Sequence, residues 1–301
     1  MRRLAVLVAL GLGACTPRFE DAPWRVEQTR VLGIAAEPAE ARPGEVVQLS
    51  ALVASPDGNV TAAPSWSVCT RPRTAAERTA VTQRCLEGDA LEPAGASWSV
   101  LSDACARFGP NVPPTEDDGV PQRPSDPDAS GGYFVPMRAE VADASSFGAL
   151  RIRCDLPGVT RAIFEAYEDR YALNRNPEIE SIVLRDPDAR PLGDAPVAVA
   201  AGAWVDLQVV AGQTAAEAYV RYDAGGGVLV DEREWLRFEF FVTGGELERG
   251  QVIVSPGDDP DEPVVVSWLA PAEEGVVSGW VVVTDARGGA SWRAFAVQVD
   301  G

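Results

Sequence analysis

Two residue types that carry much of enzyme chemistry are missing from this chain. It contains no histidine, and all 26 of its basic side chains are arginine. Without imidazole there is no Ser-His or Cys-His nucleophile pair and no histidine-ligated zinc. Without lysine there is no Schiff base and no phosphate-binding P-loop. Carboxylate chemistry remains, because Asp and Glu together number 45. The densest acidic group is Asp258, Asp259, Asp261 and Glu262, the candidate calcium ligands of the sequence. Calcium asks for about six to eight oxygens. The group lacks EF-hand spacing, Pro260 restricts the loop, and in so acidic a chain such runs are mostly solvated turns. A glycosidase would need two facing carboxyls, and no pair stands out from the acidic background. Trp235, Phe238, Phe240 and Phe241, with Trp268, Trp280 and Trp292, are the candidates for an aromatic strip that stacks on sugar rings. Alternating aromatics in a β-rich segment are more often core, because each buries a large apolar area.

The N-terminus carries different chemistry. Arg2 and Arg3 precede an apolar run from Leu4 to Leu12, followed by Gly13, Ala14 and Cys15. Crossing a bilayer core takes roughly 20 apolar residues, so this shorter run reads as an export signal. Leu12, Gly13, Ala14 and Cys15 resemble the lipobox of bacterial lipoproteins at every position. The resemblance implies cleavage before Cys15, a diacylglyceryl group on its sulfur and an acyl chain on its new amine. Several chains anchor stably, at about 0.8 kcal/mol per buried methylene. Thr16 in place of Asp after the cysteine implies sorting to the outer membrane, on a side the sequence leaves open. Beyond the covalent lipid and the calcium candidate, no cofactor is expected.

The other cysteines, Cys69, Cys85, Cys105 and Cys154, are even in number, which in an exported chain reads as two disulfides. Four cysteines allow three connectivities; Cys69 with Cys85 and Cys105 with Cys154 is the preferred one. The formal charge of −19 repels phosphate backbones and removes nucleic acid from the partners to consider. The partners expected are the membrane, through the anchor, and an envelope protein or glycan.

The elements that position these residues are mostly strands. Residues 45–55 alternate with a period of two, 30–36 and 64–69 are β-rich, and 133–141 and 147–156 return to strand character. Between them, residues 70–130 lose periodicity, with 108–130 rich in Pro, Asp and Gly, as in a long functional or disordered loop. Ile163, Tyr167 and Tyr171 recur every four residues and predict one helix over 159–171. Asn174-Arg175-Asn176-Pro177 ends it and marks the expected boundary. Eight candidate strands then follow in residues 178–301, separated by Gly and Pro turns. Both units open with an apolar strand, an acidic-Pro pair (Glu37-Pro38 and Asp186-Pro187) and Ala-Arg-Pro, a weak internal repeat.

The ending, Trp280 to Gly289 followed by Phe295 to Val299, resembles the last hairpin of bacterial immunoglobulin-like or cadherin-like repeats. Cadherin-like domains bind calcium at their junctions. With its lipobox, its Cys69/Cys85 segment and its Asn-Arg-Asn-Pro junction, the chain is similar to surface lipoproteins of myxobacteria and their relatives. The expected fold is therefore mainly β: two tandem immunoglobulin-like β-sandwich domains, the first with a long disulfide-stapled loop and one short helix. The expected division is signal peptide 1–14, lipidated tether 15–28, first sandwich 29–173, linker 174–177 and second sandwich 178–301. The expected role is that of a non-catalytic structural or interaction module at the outer membrane; the alternative is a glycan- or calcium-binding module.

Overall fold

Alternating side chains build the first unit. In the computed structural model, residues 22–301 are described except 75, 110–129, 194 and 260–261. The lipobox Leu12–Cys15, Asp261 and most of the 108–130 segment therefore lie outside the described residues. The first unit comprises β1 (Arg30–Glu37), β2 (Glu40–Ala41), β3 (Val46–Ser55), β4 (Gly58–Asn59), β5 (Ser65–Cys69), α1 (Gln83–Leu86), β6 (Leu91–Ala94), β7 (Ser97–Ser99), α2 (Ala104–Phe108), β8 (Gly132–Val141), β9 (Ala144–Arg153) and α3 (Arg161–Arg170). One sheet contains β1, β3, β4 and β7; the other runs β2-β9-β8-β5-β6. Val47 and Leu49 of β3 point inward and meet Trp66, Val68, Val135, Met137, Leu150 and Ile152 of the facing sheet. The described residues of the 70–130 stretch thus contribute two short strands and two single-turn helices, which its irregular pattern does not reveal. Cys69 bonds to Cys85 and Cys105 to Cys154, pinning both helices to the sandwich.

The second unit comprises β10 (Ile179–Asp186), β11 (Asp188–Pro191), β12 (Val197–Ala200), β13 (Trp204–Ala211), β14 (Ala218–Asp223), β15 (Val228–Arg233), β16 (Leu236–Val242), β17 (Glu246–Leu247), β18 (Gln251–Val254), β19 (Val264–Leu269), β20 (Gly275–Asp285) and β21 (Ala290–Asp300). Its sheets run β11-β10-β13-β19-β17 and β12-β21-β20-β16-β18, and β14 and β15 form a separate hairpin. In each unit an early strand pairs parallel with the last one: β2 with β9, and β12 with β21. That pairing, with the crossovers between sheets, is the immunoglobulin-like arrangement. The protein is mainly β and consists of two such sandwiches. The internal repeat holds through the acidic-Pro pair and then diverges. After Glu37-Pro38 the chain crosses to the other sheet at β2, whereas after Asp186-Pro187 it folds back on β10 as β11.

The two sandwiches stack side by side. Leu236, Phe238 and Phe240 face the second core, while Phe241 faces away from it. Phe241, Trp280 and Val282, with half-buried Trp292 and Ala294, meet Leu32, Leu52 and Ala54 of β1 and β3, and Val26 joins them. Gly279 to Val283 is buried without interruption because β20 is covered on both faces. Residues 22–26 lie along this seam, with Trp24 against the second core and Val26 N–H donating to Val242 O at 3.0 Å. A buried Leu, Val or Phe contributes roughly 1.5–3 kcal/mol. Polar pairs contribute far less net, so the apolar seam supplies adhesion and the polar junction above it sets register.

Candidate functional site

Two stretches singled out in the sequence meet at the top of the seam. One is the β20–β21 turn, Asp285-Ala286-Arg287-Gly288-Gly289; the other is Asn174-Arg175-Asn176-Pro177. Gly288 has φ +92°, and a Cβ there would come within 2.9 Å of the Phe134 ring, so the close approach of the turn to β8 needs glycine. Arg287 is 2% exposed. Its Nε donates to Glu234 Oε1 (2.7 Å), Nη2 to Glu217 Oε2 (2.9 Å) and Nη1 to Ala172 O (2.7 Å). Its guanidinium lies 4.9 Å from the Tyr219 ring centroid. Burial opposes the charge on Arg287, yet Glu234 holds its pKa above the ordinary value. Burial lifts Glu234 above the usual carboxylate range, with Arg287 opposing.

On the first domain, Glu40 is equally buried. It accepts hydrogen bonds from Tyr171 Oη and from Asn174 N–H (2.9 Å) and lies 3.6 Å from Arg151 Nε. Burial, opposed by Arg151 and reinforced by Glu40, pushes the Tyr171 phenol up to about 12. Asn176 ties the linker to both domains: Nδ2 donates to Ala36 O (2.8 Å), and Oδ1 accepts from Ala290 N–H (2.9 Å). Helix α3 is capped at Thr160, whose side chain accepts from Ile163 N–H. Its buried Tyr167 packs with Leu156 and Val220, so the first domain's helix rests on the β14–β15 hairpin.

Asp285 joins these groups and is 3% exposed. Oδ1 accepts from Arg287 N–H (2.9 Å), Gly289 N–H (2.8 Å) and Asn174 Nδ2 (3.4 Å). Oδ2 and Asn174 Oδ1 are buried without a hydrogen-bond partner among the described residues. Burial first, then the nearby Glu234 charge, raise Asp285 to about 7 against the two backbone N–H donors and Arg287. A carboxyl whose folded pKa exceeds its unfolded one contributes stability that is complete below the unfolded value and is lost as pH rises through the folded one. For Asp285 that window runs from 3.8 to about 7. Its slope is at most about 1.4 kcal/mol per pH unit. Glu77 and Glu232, whose values are lowered, act with the opposite sign below 4.5. Asp285→Asn keeps an acceptor and removes the buried charge. It is expected to flatten stability between about pH 5 and 7 and to gain about 1–3 kcal/mol at pH 8. Urea denaturation of both proteins at pH 5 and pH 8 checks this; parallel pH slopes would exclude the titration.

Other sequence candidates are placed elsewhere. Asp258 closes the turn after β18, with Oδ2 accepting from Ser255 N–H at 2.7 Å. Asp259 O accepts from Glu262 N–H in the same turn. Among the described residues no three His, Cys, Asp or Glu converge as for a metal ion. Trp268, Trp280, Phe238 and Phe240 are core residues. Glu217, Glu234, Asp285 and Arg287, the acids and base of the junction, are not singled out in the sequence as functional. The one signal there is that the stretch from Asp285 to Gly289 reads as a turn; nothing marks Glu217 or Glu234. Among the described residues no helix is long and apolar enough to cross a membrane.

Beside the junction the domains diverge and leave a cleft of about 1240 Å³. One wall is the outward face of β16 and β20, the other β1, β8 and β9, and residues 72–73 and 78–81 of the Cys69–Cys85 loop close one side. Phe134 (39% exposed) and Trp235 (36% exposed) are its open aromatic rings.

Fold and junction together define a two-domain immunoglobulin-like sandwich protein with a charged, buried interdomain joint. No family model matches the chain, and no curated protein sequence matches it. Among solved structures it is similar to the Yersinia pseudotuberculosis adhesin InvE, at 9% identity and TM-score 0.24, covering 89% of this chain and 58% of the adhesin. Another is Escherichia coli alpha-2-macroglobulin activated by porcine elastase, at 12% and 0.22, covering 91% and 22%. The titin domains Z1Z2 follow at 10% and 0.18, covering 92% and 98%. At these TM-scores no functional assignment passes from those proteins to this chain.

Proposed function

We propose that the protein is a non-catalytic lipoprotein of the cell envelope, anchored in the outer membrane through Cys15, whose two sandwiches act as one stiff interaction module. The anchor is supported by the lipobox Leu12-Gly13-Ala14-Cys15 behind its basic and apolar leader. The observation that carries the module reading is the closed geometry of the junction. Arg287, held by Glu217 and Glu234 in its own domain, donates to Ala172 O of the first, and Asn174, which donates to Glu40, also donates to Asp285, so these buried groups serve domain registration. A general acid or base needs hydrogen-bond reach to a substrate, and these groups face one another. A glycan-binding module is the second reading, favoured by the open rings of Phe134 and Trp235 in the cleft.

Mass spectrometry of the detergent-extracted protein tests the anchor. The expected mature N-terminus is Cys15 bearing a thioether diacylglyceryl group and an amide-linked acyl chain, and Cys15→Ser is expected to leave the membrane fraction. An unmodified Cys15, or cleavage elsewhere, would overturn the anchored reading.

A further inference from the structure

The cleft inverts the charge balance of the chain. Acids outnumber arginines 45 to 26 over the whole sequence. Among the described residues the cleft is lined by Arg30, Arg73, Arg78 and Arg237 against Glu239 and Asp285. Glu239 lies 3.6 Å from Arg237, and Asp285 is buried at the junction. Arg30 and Arg237 come from the two facing domains, while Arg73 and Arg78 are exposed on the loop that Cys69–Cys85 holds over the opening. In a strongly negative molecule such an island steers acidic partners towards it and repels basic ones.

The shape adds to this. At about 1240 Å³ the cleft exceeds the ordinary range for small-molecule pockets, roughly 300–1,000 Å³. It borders β18, the outermost strand of its sheet, which pairs with β16 alone among the described residues. Gly250 and Gln251 line the opening, and Ile253, 55% exposed, sits directly across from Arg237. An open strand edge offers main-chain hydrogen bonds to an added strand, and side chains alternating along that strand supply specificity.

We infer that the cleft is a docking site for an extended acidic peptide segment of a partner protein, which adds along β18 and places its carboxylates among Arg30, Arg73, Arg78 and Arg237. The inference names the partner class of the interaction module and rests on that reading, but not on the lipid anchor. The guanidiniums pair with carboxylates, Phe134 and Trp235 receive the apolar side chains, and the Cys69–Cys85 loop acquires a role as a wall of the site.

The test uses the full-length protein in detergent and fluorescence anisotropy. The probes are a fluorescein-labelled peptide of alternating Glu and Val, the same peptide with Arg in place of Glu, and a labelled oligogalacturonate. The acidic peptide is expected to bind, to weaken at least fivefold on going from low to high salt, and to lose at least tenfold in Arg73→Glu/Arg78→Glu. Both substituted residues are exposed and lie outside the junction, so an unchanged melting temperature accompanies that loss. Trp235→Ala is expected to weaken the peptide several-fold. No binding of the acidic peptide, equal binding of both peptides, or an unaffected double variant would overturn the inference. Arginine-dependent binding of oligogalacturonate without the peptide would overturn it in favour of a glycan. Mass spectrometry of Cys15 reads the anchor separately, so either conclusion can fail while the other stands.

Discussion

Arg287→Ala is expected to destabilise the protein by about 3–5 kcal/mol, the cost of breaking a buried ion pair by removing one partner. The substitution strands Glu234, 1% exposed, and the largely buried Glu217, and it leaves Ala172 O without its donor. It also removes the cation stacked on Tyr219. Arg287→Lys keeps the charge but not the fork that reaches three acceptors at once, and it is expected to cost less than alanine. The coupling is open to a double-mutant cycle. In the Arg287→Ala background, Glu217→Gln/Glu234→Gln is expected to recover part of the loss, because neither glutamate then leaves an unpaired charge behind. The same guanidinium holds Ala172, at the end of the first domain, and Glu217, at the base of the β14–β15 hairpin. Wild type is therefore expected to unfold in one transition and Arg287→Ala in two, followed by far-UV circular dichroism and tryptophan fluorescence in urea. A wild-type midpoint in Arg287→Ala would show that the apolar seam alone registers the domains.

Removing the bridge between Cys105 and Cys154 is the second large effect. Their sequence separation is 49, and closing a loop of that size is worth about 4 kcal/mol in the chain-entropy model. Helix α2, only five residues long, cannot persist by its own hydrogen bonds. It stays on the sandwich through the bridge and through buried Ala104 and Phe108. Cys105→Ser/Cys154→Ser is therefore expected to lose about 3–4 kcal/mol. The shorter bridge, with a separation of 16, is expected to cost about 1 kcal/mol less when removed in the same way. Denaturant midpoints of the two double variants decide. If the shorter bridge proves the costlier, packing around buried Cys69 and Cys85 outweighs loop length.

How much of this was legible beforehand depended on whether the signal was local. The alternation in residues 45–55 appears as β3, and the four-residue recurrence of Ile163, Tyr167 and Tyr171 appears as α3. Where one strand serves two layers, the alternation is lost. Trp280-Val281-Val282-Val283 is one apolar run because its even residues meet the first domain and its odd residues the second core. β15, Val228–Arg233, carries no clean alternation either, since it pairs in a two-stranded hairpin with no buried side chain of its own. The short elements of residues 70–130 are set by disulfides and by pairing with distant strands, not by periodicity.

By itself, then, the sequence determined the excluded chemistry, the strand-rich class and the even set of cysteines, because composition and periodicity are properties of neighbouring residues. It also marked the Asn-Arg-Asn-Pro stretch as an expected boundary and the Asp-Ala-Arg-Gly-Gly stretch as a turn. Only the tertiary structure decided that they touch, Asn174 reaching Asp285 across 111 residues and Arg287 reaching Ala172 across 115. A charge becomes a partner through distance in space and the loss of water around it, and neither is encoded in any window of the chain.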